Sequence, residues 1–170
     1  MREALVTALS RDYGIHPYAK WGGAFWRLIS LADLGVPPPI LGLARYGATD
    51  AAARRAEFLL EHEVAYSHRT GELAHPTILR LRYPPYWHYD LLAGLRTVAA
   101  SVGMGDPRLE KPLDALEEKR HEDGTWHIEG KWWKSQGSKG SNVEVVDWGR
   151  SANELLTEQA ESVLHLAGRQ

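Results

Sequence analysis

Arg120-His121-Glu122-Asp123-Gly124-Thr125-Trp126 is the stretch on which the fold turns. Leu113, Leu116, Glu117 and Glu118 lead into it at helical spacing. Asp-Gly then breaks the helix, because Asp bonds to its own following backbone and Gly tolerates the left-handed region. Trp126 follows two residues after the Gly. A large ring with a single polar N–H, delivered just past a turn, suits packing on the end of a neighbouring helix. The element reads as a staple between helices, and it performs no chemistry.

Working outward, the chain divides into six expected helices. The first covers Arg2–Ser10, with Leu5, Val6 and Leu9 on one face. The second covers Trp21–Leu34, where Phe25, Leu28, Ile29 and Ala32 give the helical stripe, Gly35 closes it and Pro37-Pro38-Pro39 prevents continuation. The third starts at Thr49 or Asp50 and reaches Tyr66 through Ala52, Arg55, Phe58, Leu59 and His62. Ser67–Pro85 is a long connection whose piece Ile78–Arg82 reads as extended coil. The fourth helix covers Trp87–Val102, with Leu91, Leu92, Leu95, Val98, Ala99 and Val102 as its buried stripe and Gly103 as its stop. Asp106-Pro107 opens the fifth, an N-cap followed by proline at the first helical position. Pro112 then requires either a kink or a later start. Glu122–Gly149 is irregular, with Val143–Val146 the one candidate for an extended piece. Ser151 and Glu154 sit as a capping box for the last helix, which buries Leu155, Leu156, Ala160, Val163, Leu164 and Ala167 and stops at Gly168.

A weak repeat runs through this pattern. Trp21, Trp87 and Trp148 each introduce a helix that ends at a glycine, at Gly35, Gly103 and Gly168. Repeated helical units bury their faces against their neighbours, so the expectation is stacked antiparallel hairpins.

Composition narrows the classes. The 170 residues suffice for one domain, and 44% hydrophobic with 25% charged residues is ordinary for a globular chain. The net charge of −2 argues against a dedicated nucleic-acid binder. Cysteine is absent, which removes disulfides, thiolate metal sites and cysteine nucleophiles. Met1–Ser10 has no continuous apolar run and does not read as a signal peptide, and no window reaches the ~18 apolar residues of a membrane span. The expected location is the cytoplasm.

Gln-x-x-Asp-Gly-x-Trp is the repeat signature of the terpenoid cyclase and protein prenyltransferase superfamily, the α/α toroids. The stretch at 120–126 resembles it, with Arg120 in place of Gln. The segments His16–Trp21, Leu31–Pro38, Glu57–Leu60, His68–Gly71, Tyr83–Leu92 and Asp106–Leu109 extend the likeness to bacterial relatives of squalene-type cyclases. The resemblance implies an all-α fold of antiparallel helical hairpins with long irregular loops. A full toroid has about twelve helices, at roughly 11–12 residues each. This chain therefore reads as a partial toroid, a single domain over 1–170 with hairpins missing between about 39 and 52. Uncovered inner faces imply self-association. The superfamily's Asp-x-Asp-Asp and Asp-Asp-x-x-Asp motifs are absent, as is the cysteine with which prenyltransferases hold zinc. No catalytic residue carries over.

Candidate sites follow from the residues. Tyr86-Trp87-His88-Tyr89-Asp90 is a polar-aromatic cluster at an expected helix N-terminus. Asp90 and His88 are the candidate acid/base pair, set against the plainer reading that Asp90 favours the helix dipole while the rings pack. Trp21, Tyr86, Trp87, Trp148, Arg150 and Asn153 are candidate ligand-binding residues on the toroid reading, beside Asp147. His62, His68 and His75 do not share one helix face, and His121 and His127, which flank the Asp-Gly turn, lack a third ligand, so no metal and no cofactor are expected. Lys131-Trp132-Trp133-Lys134 with Lys139 reads as a solvated loop, diluted by nearby Glu129 and Glu144. No nucleophile elbow or phosphate loop is present. The expectation is a terpenoid cyclase- or prenyltransferase-like helical domain of unknown activity, non-catalytic or ligand-binding, with an apolar small molecule as the candidate ligand. The alternatives are an active enzyme on an isoprenoid-type substrate, and an interaction scaffold or shortened homologue.

Overall fold

The computed structural model describes residues 2–9, 11, 13–15, 56–86, 88–131, 133–149 and 152–169. Expected features at Trp21–Leu34, and the residues Trp87, Trp132, Arg150 and Ser151, lie outside the described residues. Among those described, regular structure is helical, and extended pairing is limited to three isolated bridges: Tyr66–Leu73, His127–Ala152 and Lys134–Val143. No helix among them is long and apolar enough to cross a membrane.

Two compact units emerge, Met1–Tyr46 with Lys131–Gly149, and Gly47–Gly130 with Arg150–Gln170. In the first, α1 spans Arg2–Leu9 and buries Leu5 and Leu9, while Val6 is half-buried. The same unit contains a loop in which Lys134 N–H donates to Asn142 O at 2.6 Å and Glu144 N–H to Lys134 O at 2.9 Å. Gln136 Nε2 also donates to Val145 O at 2.8 Å, and among the described residues the Val143–Val146 piece forms only the isolated Lys134–Val143 bridge.

The second unit contains α2 (Leu91–Ser101), a 3₁₀ turn (Pro107–Leu109), α3 (Glu110–Glu117) and α4 (Glu154–Leu166). Each of the three α-helices packs on the other two. Leu91, Leu92, Leu95 and Val98 of α2, Leu113 and Leu116 of α3, and Leu155, Leu156, Val163 and Leu164 of α4 form the core between them. Residues 56–61 are also helical.

Several boundaries differ from expectation, each for a local reason. Helix α2 begins at Leu91 rather than Trp87, because Asp90 has extended angles and caps the helix with its carboxylate. Val102 is its C-cap at φ −136° and stands 51% exposed instead of completing the stripe. Asp106 caps the 3₁₀ turn with Pro107 at its start, as expected. Helix α3 then starts at Glu110, which places Pro112 in its first turn, where a backbone N–H has no acceptor within the helix. Helix α4 starts at Glu154 under Asn153, not under Ser151, because Ala152 is held extended against His127. Phe58 is 58% exposed, and the buried positions run Ala56, Leu60 and Val64. Gly168 ends α4 in a Schellman motif: Arg169 N–H bonds Leu164 O at 2.9 Å and Gly168 N–H bonds His165 O at 3.0 Å, with Gly168 at φ +72°.

Candidate functional site

Asp90 lies at the junction between the 78–82 segment and α2. Its Oδ1 accepts from Ala93 N–H at 2.9 Å, and its Oδ2 accepts from Arg82 N–H at 3.1 Å. Leu91 N–H donates to Ile78 O at 2.9 Å beside it. Only 2% of Asp90 is exposed. Burial pushes its carboxyl up to about 6, against the opposing pull of the Ala93 and Arg82 amides and the Arg82 charge.

Arg82 is buried in turn, and burial lowers its pKa against the pull of Asp90. Its Nη1 donates to Arg80 O at 2.9 Å and Thr77 O at 3.3 Å. A Cβ at Gly130 would stand 3.0 Å from Arg82 Nε, so the absence of a side chain at 130 makes room for the guanidinium. Leu81 and Glu129 clasp each other: Leu81 N–H donates to Glu129 Oε2 at 2.7 Å and Glu129 N–H to Leu81 O at 2.9 Å. Lys119 Nζ reaches Glu129 Oε1 at 2.8 Å. The residues around Asp90 thus form a hydrogen-bonded frame that fixes an irregular segment onto a helix start.

The other candidate residues distribute as follows. Tyr86 is half-buried at φ +49°, and His88 N–H donates to Pro85 O at 2.9 Å. Tyr89 sends its hydroxyl to Val64 O at 2.7 Å, and burial raises its pKa further above the ordinary range. Asn153 is buried and accepts from Leu156 N–H at 2.9 Å. Trp148 belongs to the first unit, where its indole donates to Glu144 Oε2 at 2.9 Å, both residues being buried. Trp21, Trp87 and Arg150 lie outside the described residues. Nothing in the sequence marks Arg82 as part of this frame. A buried arginine in an alternating Leu-Arg-Leu-Arg run has no pattern that separates it from an exposed one.

The Asp-Gly turn carries the staple. His121 N–H bonds Thr125 O at 3.0 Å, Gly124 N–H bonds His121 O at 2.8 Å, and Gly124 has φ +83°. Asp123 Oδ1 accepts from Thr125 Oγ1 at 2.7 Å and Thr125 N–H at 3.0 Å, which holds its carboxyl below the usual range. Trp126 is fully buried. Its indole N–H donates to Leu116 O near the end of α3 at 2.8 Å, and its backbone N–H meets Thr157 Oγ1 of α4 at 3.0 Å. Its carbonyl accepts from Asn153 N–H at 3.2 Å. Arg120 supplies donors only: Nε reaches Gly124 O at 3.3 Å, and the guanidinium stands 5.4 Å from the Trp126 ring centroid.

His121 and His127 do meet across the turn, stacked at 3.5 Å with 9° between planes. No group of three or more metal-ligating side chains occurs among the described residues. An open groove of about 700 Å³ beside the turn is walled by Glu118, Lys119, Arg120, Glu122 and Asp123, a charged rather than an apolar lining.

Comparison of the chain with family models, with curated proteins and with solved structures finds no match.

Proposed function

We propose that this chain is a non-catalytic helical module of the α/α-toroid kind that binds an apolar small molecule. The observation that carries the non-catalytic part is the Asp90 carboxylate, whose two oxygens each accept from a backbone N–H in a buried junction. A catalytic acid needs an oxygen within reach of the reacting atom. The indoles of Trp126 and Trp148 and the amide of Asn153 are likewise committed to internal bonds. Partial-toroid architecture and the apolar ligand rest on the motif resemblance at 120–126 and on the aromatic cluster at 86–89.

Incubation with farnesyl diphosphate and with squalene, followed by product analysis, tests the non-catalytic part; the expected outcome is no cyclised or transferred product. Tryptophan fluorescence titration with farnesol tests the binding part. Saturable quenching is expected in the wild type and its loss in Trp87→Ala, with the far-ultraviolet circular dichroism retained. Product formation abolished by Asp90→Asn overturns the first part, and quenching unchanged in Trp87→Ala removes the second.

Self-association is a second reading. Phe58, Val102 and Leu166 stand 58%, 51% and 61% exposed, and contact with a second copy would take that apolar surface out of water. Light scattering that gives a monomer at high concentration removes it.

A further inference from the structure

His62 and His68 are the pair that neither the fold nor the proposed function uses. His62 Nδ1 lies 2.8 Å from Phe58 O. A carbonyl only accepts, so Nδ1 carries the proton and, in the neutral ring, Nε2 presents its lone pair. That lone pair accepts from His68 Nδ1–H at 3.2 Å, with the two rings edge-to-face at 80° and centroids 4.8 Å apart; an ion bound between them takes the place of this proton, and His68 then carries its proton on Nε2. Two imidazole nitrogens on one tetrahedral ion, at about 2.0–2.1 Å each, stand roughly 3.3 Å apart. The bond from the far nitrogen to a backbone carbonyl is the outer contact that metal-ligating histidines habitually make.

The backbone is arranged to keep the two rings together. Residues 56–61 are helical, and the chain then reverses through Glu63 at φ +39° and Val64 at φ +62°. For the β-branched Val64 this is a strained conformation, and such strain gathers at functional sites and ligand clamps. Val64 N–H to Leu59 O and Tyr66 N–H to His62 O, both 2.7 Å, lock the reversal. His68 sits in a tight loop closed by Ser67 N–H to Glu72 O at 2.8 Å and Gly71 N–H to Ser67 O at 2.7 Å. His75 is engaged with Thr77 Oγ1 at 2.9 Å and stands apart from the pair.

We propose that His62 Nε2 and His68 Nδ1 form a two-histidine clip for a divalent transition-metal ion of the zinc type, with solvent in the remaining positions, tying the end of the 56–61 helix to the 67–72 loop. Imidazole suits Zn²⁺ and its first-row neighbours, whereas Mg²⁺ and Ca²⁺ prefer oxygen donors. Binding requires neutral rings, so metal and protons compete at the site.

Calorimetric titration of the full chain with Zn²⁺ tests the clip. One equivalent is expected to bind, accompanied by a rise in unfolding temperature and by displacement of the ¹⁵N resonances of His62 Nε2 and His68 Nδ1. His68→Ala, at an exposed position that leaves the Phe58–His62 bond in place, is expected to weaken binding by about tenfold or more. His75→Ala is expected to leave it unchanged. Absence of saturable uptake overturns the proposal and leaves a hydrogen-bonded imidazole pair only. Uptake insensitive to His68→Ala but lost in His121→Ala also overturns it and moves the ion to the stacked pair.

Discussion

Asp90 illustrates how one carboxylate both caps a helix and holds a distant segment. Asp90→Ala removes the cap of α2, which typically costs about 0.5–2 kcal/mol, and also strands the buried Arg82 N–H. Its pH dependence has a definite sign. The folded-state pKa of about 6 lies above the ordinary 3.8, so between these values the folded chain binds more protons than the unfolded chain, and stability falls as pH rises. The unfavourable contribution is fully present above pH 6 and vanishes below 3.8. Wild-type stability relative to Asp90→Asn should therefore be greater at pH 4 than at pH 7, by about 2 kcal/mol, in denaturant melts at each pH. An identical difference at both pH values contradicts the burial. Gly94 gives a prediction with the opposite of the usual sign. Gly→Ala inside a helix ordinarily stabilises by about 1 kcal/mol. At Gly94 an added methyl would fall on the Tyr89 hydroxyl and the Val64 side chain, so Gly94→Ala should destabilise by about 1–3 kcal/mol and break the Tyr89–Val64 bond. Chemical denaturation reads it directly.

At the scale of elements, Trp126 ties the end of α3 to the start of α4. Trp126→Phe keeps an aromatic ring but removes the indole N–H that Leu116 O accepts from and leaves a gap at a fully buried position, an expected loss of about 2–5 kcal/mol at the melting midpoint. The position of this tie was legible from Asp123-Gly124 and the tryptophan beyond it, as were the apolar stripes of α2 and α4 and the glycine stops at 103 and 168. What was not legible came from contacts distant in sequence. Asn153 displaces Ser151 as the α4 cap although both residue types cap well, because the His127–Ala152 bridge and the Asn153 N–H to Trp126 O bond keep residue 152 out of the helix. Asn153→Ala should therefore lower stability by about 0.5–2 kcal/mol, a cost that a cap at 151 would not produce. The start of α2 moved for the same reason: Asp90 accepts from Arg82, eight residues earlier, and no helical periodicity encodes that partner.

At the scale of the whole molecule, the candidate site changes character. By residue type and place, Asp90, His88, Tyr86 and Asn153 are the sequence's candidates for acting on a ligand. Structure shows Asp90 and Asn153 as buried caps of two helices that pack on each other, α2 and α4, further joined by Arg96 Nη1 to Gln159 Oε1 at 2.9 Å. Buried polar residues whose bonding groups are engaged rigidify and specify a core. The most direct measurement is the thermal unfolding of Asp90→Ala beside the wild type at pH 4.5, below the folded-state pKa of about 6, where the buried carboxyl carries little ionisation penalty and the lost cap sets the sign. For a chain of this size each kcal/mol is worth about 2–4 °C. A midpoint lowered by roughly 3–10 °C is expected in the variant, with no enzymatic activity in either protein. An unchanged midpoint, together with an isoprenoid turnover present in the wild type and lost in the variant, would contradict this expectation.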